Sequence, residues 1–245
     1  MARLPENPTR RRMLAGLGAG MALAAARPAV AQPVANIDPA RPFARPASDL
    51  NLVLAVDCSR SINEREYRLQ ADGYAAAFRD PRVRRAILGG RERRIAVTLT
   101  HWAGQRQQHQ AIGWTLLDGR VALDAFAARL PGQPRLTEDD ATAVGAAIDH
   151  ARRLLETCPF AAARGVIDVS GDGSNNQGRL ASYARDEAVA GGWGINGLPI
   201  LSDEPNLDTI FRREVIGGPG AFVVPARGFA DFAAAIAHKL VREIS

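Results

Sequence analysis

Residues 52–61 read Leu-Val-Leu-Ala-Val-Asp-Cys-Ser-Arg-Ser, an unbroken apolar run that ends in one carboxylate and two hydroxyls. A continuous apolar run is typical of a strand in a parallel sheet that helices cover on both faces. Such sheets bind ligands at the carboxyl ends of their strands. The sequence therefore predicts that Asp57, Ser59 and Ser61 lie at a binding edge, where their hard oxygen atoms suit Mg²⁺ or Mn²⁺. The alternative interpretation is a strand followed by a serine-rich turn and a helix N-cap.

Strand and helix patterns alternate from residue 49 to residue 245. Strands are predicted over residues 52–56, 95–100, 110–116, 166–170, 194–198 and 221–224. Core-facing side chains recur at helical spacing in three segments, with Tyr67, Ala71, Tyr74 and Phe78 in the first, Val144, Ile148, Ala151 and Leu155 in the second, and Phe229, Phe232, Ile236 and Leu240 in the last. Shorter helices are predicted at 120–130, 179–190 and 205–214. The short polar link over 101–109 suits a hairpin. We therefore expect a doubly wound, Rossmann-like α/β domain with a six-stranded, mostly parallel sheet, one antiparallel edge strand and helices on both faces.

The first 31 residues have the features of an export signal. Residues 9–14 read Thr-Arg-Arg-Arg-Met-Leu, a mildly apolar stretch runs to Ala26, and Ala-Val-Ala at 29–31 suits a cleavage site. This segment resembles a twin-arginine signal peptide. The apolar stretch is shorter than the roughly 20 residues that span a bilayer, so no membrane span is expected. Residues 32–48 contain four prolines and are predicted to form a Pro-rich linker. The protein is expected to be periplasmic or secreted.

Charge and cysteine content limit the possible partners. Removal of residues 1–31 takes away five arginines and Glu6, which leaves a net charge near +1 and argues against a nucleic-acid partner. The arginines between Arg82 and Arg94 are interpreted as a solvated loop, with a docking patch for an acidic partner as the alternative. Cys58 and Cys158 are expected at opposite ends of the sheet, too far apart for a disulfide.

Two later loops are predicted to reach the same edge as Asp57. Asp172 follows the strand at 166–170, and Thr142 directly precedes a helix. The alternative interpretation is that Thr142 is only an N-cap. Asp168 falls inside a strand roughly 13 Å from Asp172, so we expect neighbouring hydroxyls or backbone groups to satisfy it rather than a metal.

The combined pattern resembles the von Willebrand factor A domain and its metal-ion-dependent adhesion site (MIDAS). That family carries Asp-x-Ser-x-Ser after the first strand, a later Thr, and an Asp followed by Gly after the fourth strand. The matching positions are Asp57, Ser59, Ser61, Thr142 and Asp172. The stretches at 166–173, 175–178 and 216–222 also resemble an exported bacterial family, domain of unknown function 1194. There are two departures. Gly171 stands where the pattern usually has Thr, and Thr137 competes with Thr142 for the threonine role, although Thr142 has the better position, just before the helix.

The resemblance implies metal contacts that are direct or nearly so from the three hydroxyls, and contacts partly through water from the two carboxylates. It also implies that an Asp or Glu of a partner protein completes the coordination, and it implies no reaction. Three hypotheses stand: a metal-dependent protein-binding module, a metal-dependent hydrolase or phosphoesterase, and a metal-free structural domain.

Enzyme motifs are poorly matched in this sequence. Metal-dependent phosphatases need a second carboxylate two residues after the nucleophile, where this chain has Ser59. There is no Gly-x-Ser-x-Gly elbow, and the four histidines lack the His-Glu-x-x-His spacing. The glycine pattern at 192–197 follows a helix and enters a strand, the reverse of a dinucleotide-binding turn. We therefore expect a protein-binding module and no enzyme, with the oligomeric state left open.

Overall fold

The computed structural model of the protein describes residues 44–135 and 141–245. The predicted signal peptide, most of the predicted linker and Thr137 lie outside these ranges. The strands are β1 (Ala47–Ser48), β2 (Asn51–Asp57), β3 (Ile95–Trp102), β4 (Gln108–Leu117), β5 (Ala161–Ala162), β6 (Gly165–Gly171) and β7 (Gly194–Pro199). The helices are α1 (Glu64–Arg79), α2 (Pro81–Gly89), α3 (Arg120–Arg129), α4 (Val144–Glu156), α5 (Ala181–Ala190), α6 (Leu207–Ile210) and α7 (Phe232–Ile244). A π-helical turn, Phe211–Val215, follows α6, and a 3-10 turn, Phe229–Asp231, precedes α7.

A five-stranded sheet in the order β4-β3-β2-β6-β7 forms the centre of the domain. All neighbouring strands are parallel except β3 and β4, which pair antiparallel at one edge. Alternate residues of β2 pack on opposite faces: Leu52 joins the core beneath α1, α2, α3 and α7, and Val53 joins the core beneath α4 and α5. The predicted α/β architecture is confirmed, with helices on both faces and β4 as the antiparallel edge strand.

The segment predicted as a sixth strand lies beside β7 but does not form a continuous strand. Isolated parallel bridges join Gly197 to Val223 and Ile200 to Ala226. Pro225 stands between the two bridged residues and has no N–H to donate, so the ladder is interrupted there. The main sheet therefore has five strands, and a short parallel pair of β1 and β5 accompanies it. β1 includes the last two residues of the predicted linker.

The arginine-rich segment is partly helical, so its interpretation as a loop was wrong. Asp80 caps α2 by accepting a hydrogen bond from the Arg82 backbone N–H at 2.7 Å, and Pro81 occupies the first turn. Val83 and Ile87, one helical turn apart, are buried in the core. The two apolar residues are enough to fix the helix on the domain, although charged residues surround them.

Asp168 is paired with a lysine, not with hydroxyls or backbone groups as predicted. Its Oδ1 lies 2.7 Å from Nζ of Lys239, the single lysine of the chain, and both side chains are fully buried. Lys239 also donates to Glu243 Oε1 at 2.9 Å, and Asn196 donates to the same oxygen at 2.7 Å. Burial is the main cause that raises the pKa of Asp168 to about 7, and the ammonium of Lys239 opposes this shift. A buried charged cluster therefore joins β6 and β7 to α7.

Two further expectations concern the cysteines and the membrane. Cys58 and Cys158 are both buried thiols that form no disulfide with each other, as predicted. Within residues 44–135 and 141–245, every helix is too short or too polar to cross a bilayer.

Candidate metal centre

The loop after β2 is held by hydrogen bonds to its own backbone and by one arginine. Asp57 Oδ1 accepts from the Ser59 backbone N–H at 2.8 Å, and the Ile62 N–H donates to the Ser59 carbonyl at 3.0 Å. The guanidinium of Arg135 donates to the Cys58 and Ser59 carbonyls, each at 2.6 Å. Helix α1 then begins with a reciprocal capping box between Asn63 and Glu66. The three candidate metal ligands of this loop, Asp57, Ser59 and Ser61, are therefore held in place by a turn, by Arg135 and by the start of α1.

The structure brings the five predicted residues together from three loops. Ser61 Oγ lies 3.2 Å from Ser59 Oγ and donates to Asp172 Oδ1 at 3.0 Å. A β-carbon placed on Gly173 would lie 3.6 Å from Thr142 Oγ1, so the Thr142 hydroxyl lies beside the backbone that follows Asp172. Ser61 is exposed, whereas the other four side chains are buried. Together they line the carboxyl edge of β2 and β6.

Two asparagines that were not predicted as site residues hold Thr142 and the start of α4 in place. Asn176 accepts from the Thr142 N–H at 2.8 Å, and its own N–H donates to the Thr142 carbonyl at 2.9 Å. Asn175 accepts from the Gly145 N–H at 3.0 Å, at the start of α4. The N-cap residue of α4 is Ala143, so the interpretation of Thr142 as an N-cap was wrong. Adjacent asparagines after a tight turn were the available signal, because their side chains readily bond to nearby backbone.

The two carboxylates of the site are buried without a full set of partners. Asp57 Oδ2 and Asp172 Oδ2 have no hydrogen-bond partner among the described residues. Burial, with the neighbouring charge of Asp172, raises the pKa of Asp57 to about 7. Burial also raises the pKa of Asp172 to about 6, against the hydrogen bond from Ser61, and Asp203 adds to the rise. Two buried carboxylates that repel each other make a site that a divalent cation would neutralise.

The donor set fits a hard cation better than a soft one. The site offers two unpartnered carboxylate oxygens and three hydroxyl oxygens, which are the ligand types that Mg²⁺ and Mn²⁺ prefer. In the described part of the chain there is no cluster of three or more His, Cys, Asp or Glu side chains that could hold a metal. The site opens into a depression of about 360 Å³ whose lining includes Ser174, Asp203 and Glu204. This volume is large enough to hold a side chain from another molecule.

The packing around Gly171 explains why this chain lacks the Thr that the family pattern usually has at that position. A β-carbon added there would lie 2.8 Å from Asp57 Oδ2 and 3.2 Å from the Trp102 ring. Asp57 cannot easily move away, because its other oxygen accepts from the Ser59 N–H. A threonine therefore does not fit between β6 and the Asp57 side chain in this protein.

The sheet order, the helices on both faces and the three converging loops define a von Willebrand factor A-like domain. The chain belongs to the family described as Protein of unknown function (DUF1194), which it matches over residues 47–245. No match was found among curated proteins.

Several solved structures share this fold at low sequence identity. The von Willebrand factor domain of the type V pili tip protein Mfa5 from Porphyromonas gingivalis is 14% identical with a TM-score of 0.55, and the match covers 81% of this chain and 97% of that one. A von Willebrand factor type A protein from Catenulispora acidiphila is 20% identical with a TM-score of 0.56, and coverage is 81% and 43%. Proximal thread matrix protein 1 from the mussel byssus, in a form with a zinc-occupied MIDAS motif, is 13% identical with a TM-score of 0.55, and coverage is 82% and 48%. The chain thus spans less than half the length of the last two proteins.

Proposed function

We propose that this protein is an exported, metal-dependent protein-binding module. In this proposal Asp57, Ser59, Ser61, Thr142 and Asp172 hold one Mg²⁺ or Mn²⁺ ion, and an Asp or Glu side chain of a partner protein binds there. When bound, the cation supplies the positive charge that attracts the partner's carboxylate.

One observation carries the proposal: two buried carboxylates from different loops each keep an oxygen without a partner, while serine hydroxyls link the loops. Burying an ionised carboxylate is costly unless a cation or hydrogen bonds compensate it. Hydroxyl ligands add coordination without adding negative charge, so a bound ion keeps positive charge for a partner. The mussel protein with a zinc-occupied MIDAS motif and the pili tip protein Mfa5 share this fold, and this likeness supports the proposal.

Each residue has a separate task in this proposal. Asp57 and Asp172 supply the charge that balances a divalent ion, and Ser61 links the loops by donating to Asp172. Asn176 fixes the backbone of Thr142, so that its hydroxyl stays near Gly173. These contacts hold the donors before any ion binds, which lowers the cost of ordering them.

Export is supported by the sequence of residues 1–31, which resembles a twin-arginine signal. The proposed location is the periplasm or the extracellular space. A folded domain with a preassembled site would suit a route that carries folded proteins.

Calorimetry with the chelator-treated chain tests the metal site. Titration with Mg²⁺ or Mn²⁺ is expected to give saturable binding in the wild type and none in Asp172→Ala. Asp118→Ala, an exposed aspartate outside the site, is the matched control. Absence of binding in the wild type would favour a metal-free structural domain.

Affinity capture from a periplasmic extract tests the partner. Partners that elute on addition of chelator and are lost with Asp57→Ala support the module. Turnover of a phosphoester substrate that Asp57→Ala abolishes would instead favour the hydrolase.

A further inference from the structure

A second candidate site is a cleft of about 510 Å³ formed by α1, α2 and α3. Four arginines and two leucines account for its character: Arg79, Arg84, Arg85, Arg120, Leu88 and Leu123. It shares no lining residue with the candidate metal centre. Of the four arginines, Arg79 and Arg120 lie outside the arginine-rich segment between Arg82 and Arg94.

Three of these four guanidinium groups have no partner among the described residues. Arg84 is the exception, because it donates to the Phe78 carbonyl at 2.9 Å and pairs with Asp124. Arg79, Arg85 and Arg120 are exposed and form no ion pair or side-chain hydrogen bond within residues 44–135 and 141–245. Elsewhere in the same segment, Arg82 pairs with Asp80, and Arg91 and Arg94 lie near Glu92. The cleft thus brings together three arginines that no carboxylate among the described residues pairs with.

The start of α3 departs from the usual rules for helix stability at this cleft. Its N-cap is Gly119, which offers no side-chain cap, and its first residue is Arg120 rather than an acidic or capping residue. The first N–H groups of a helix are unsatisfied and carry partial positive charge, so a cation at this position is unfavourable. Asn63 caps α1 and Asp80 caps α2, whereas α4, α5, α6 and α7 lack a side-chain cap as α3 does; among the described helices, α3 alone begins with an arginine. Local departures of this kind are expected where binding takes precedence over stability.

Apolar surface accompanies the charge. Leu88 is half-buried and Pro81 is exposed, and both line the cleft, whereas the side chain of Leu123 is completely buried. An occupant that complements both features carries carboxylates and aliphatic side chains together. A flat bilayer does not enter a cleft, and the net charge near +1 without residues 1–31 disfavours nucleic acid.

We infer that this cleft binds an acidic segment of a partner protein, in which Asp or Glu residues alternate with aliphatic residues. The carboxylates pair with Arg79, Arg85 and Arg120 and accept from the uncapped N–H groups of α3. The aliphatic side chains pack on Leu88 and Pro81. This binding requires no metal, so it does not depend on the proposed function.

Fluorescence anisotropy with the whole chain and a labelled peptide of alternating Glu and Leu tests the inference. The double variant Arg85→Glu/Arg120→Glu is expected to weaken binding about tenfold or more, because two attractive pairs become repulsive. The control Arg106→Glu/Arg153→Glu makes the same change of charge at exposed arginines outside the cleft, and should keep most of the affinity. Circular dichroism of both variants checks that they fold.

Chelator and Asp57→Ala separate this cleft from the metal centre, which would also attract a carboxylate. Peptide binding that persists in both conditions supports the cleft. Binding lost on chelation, or equal in the wild type and the cleft variant, would overturn the inference. So would tighter binding, through the same arginines, of single-stranded DNA or of phosphatidylglycerol vesicles.

Discussion

Replacing Asp57 with asparagine should stabilise the metal-free protein at pH 8 while abolishing metal binding. Asp57 is fully buried, and its pKa is raised from 3.8 to about 7. At about 1.4 kcal/mol for each tenfold change in proton affinity, its ionised form costs about 4 kcal/mol of folding stability above pH 7. An asparagine keeps the acceptor for the Ser59 N–H but buries an amide N–H at a cost of about 1–3 kcal/mol. The net gain at pH 8 is therefore about 1–3 kcal/mol.

The sign of the effect follows from the raised pKa. A carboxyl that binds its proton more tightly in the folded state destabilises the protein progressively as pH rises from about 4 to about 7. At pH 5 most of the folded protein carries the proton on Asp57, and the penalty falls to about 1–2 kcal/mol. The stability difference between Asp57→Asn and wild type should therefore change by about 2–3 kcal/mol between pH 5 and pH 8.

Urea denaturation in the presence of chelator, followed by circular dichroism at both pH values, measures this difference. Adding Mg²⁺ at about 100 times its dissociation constant should then stabilise the wild type by about 3 kcal/mol and leave Asp57→Asn unchanged. Parallel pH profiles for the two proteins, or equal stabilisation by Mg²⁺, would refute the reasoning. Glu204→Gln, which changes a carboxylate at the rim rather than in the buried pair, serves as the control.

Three further changes test other parts of the structure. Asn176→Ala should weaken Mg²⁺ binding about 10–100-fold in calorimetry, because the Thr142 backbone loses its side-chain acceptor, whereas Asn206→Ala should not. Lys239→Met should lower the free energy of unfolding by about 3–5 kcal/mol, since two buried carboxylates lose their cation, and Asp168→Leu/Lys239→Met should recover part of that loss. Gly171→Ala should destabilise the protein by about 1–3 kcal/mol in thermal unfolding, because the added β-carbon would contact Asp57 and Trp102. The control Gly113→Ala should be nearly neutral, because its added β-carbon meets nothing within 4 Å. Equal effects at the two glycines would contradict the packing argument.

The features predicted correctly from the sequence are those that local pattern determines. The apolar run at 52–56 and the stripe of Tyr67, Tyr74 and Phe78 each specify one element, and those elements are buried where expected. The gathering of Asp57 and Asp172 followed from a general rule, since neighbouring parallel strands end at the same edge of a sheet.

The features that were missed depend on pairings between distant segments. No pattern around Asp168 indicates that its partner is Lys239, and the hydrogen bonds between Asn176 and Thr142 join residues in different loops. A signal was nevertheless present in α7, because Lys239 and Glu243 fall on the same helical face as the apolar residue Ile236. Charged residues on a core-facing stripe indicate a buried partner in the adjoining strand. Helix α2 was missed for a different reason: its capping residues were present, but the surrounding arginines favoured a loop.

Asp168 and Asp172 offer an internal comparison within one segment of chain. Both carboxylates are almost completely buried and lie four residues apart, on β6 and just after it. Asp168 has a permanent cation, because Lys239 reaches it from α7 at 2.7 Å. Asp172 has a serine hydroxyl at 3.0 Å and a second carboxylate nearby, but no cationic side chain among the described residues is bonded to it. The same fold thus neutralises one buried acid with its own lysine and leaves the pair at the sheet edge to be neutralised from outside, which is the arrangement that an exchangeable metal ion requires.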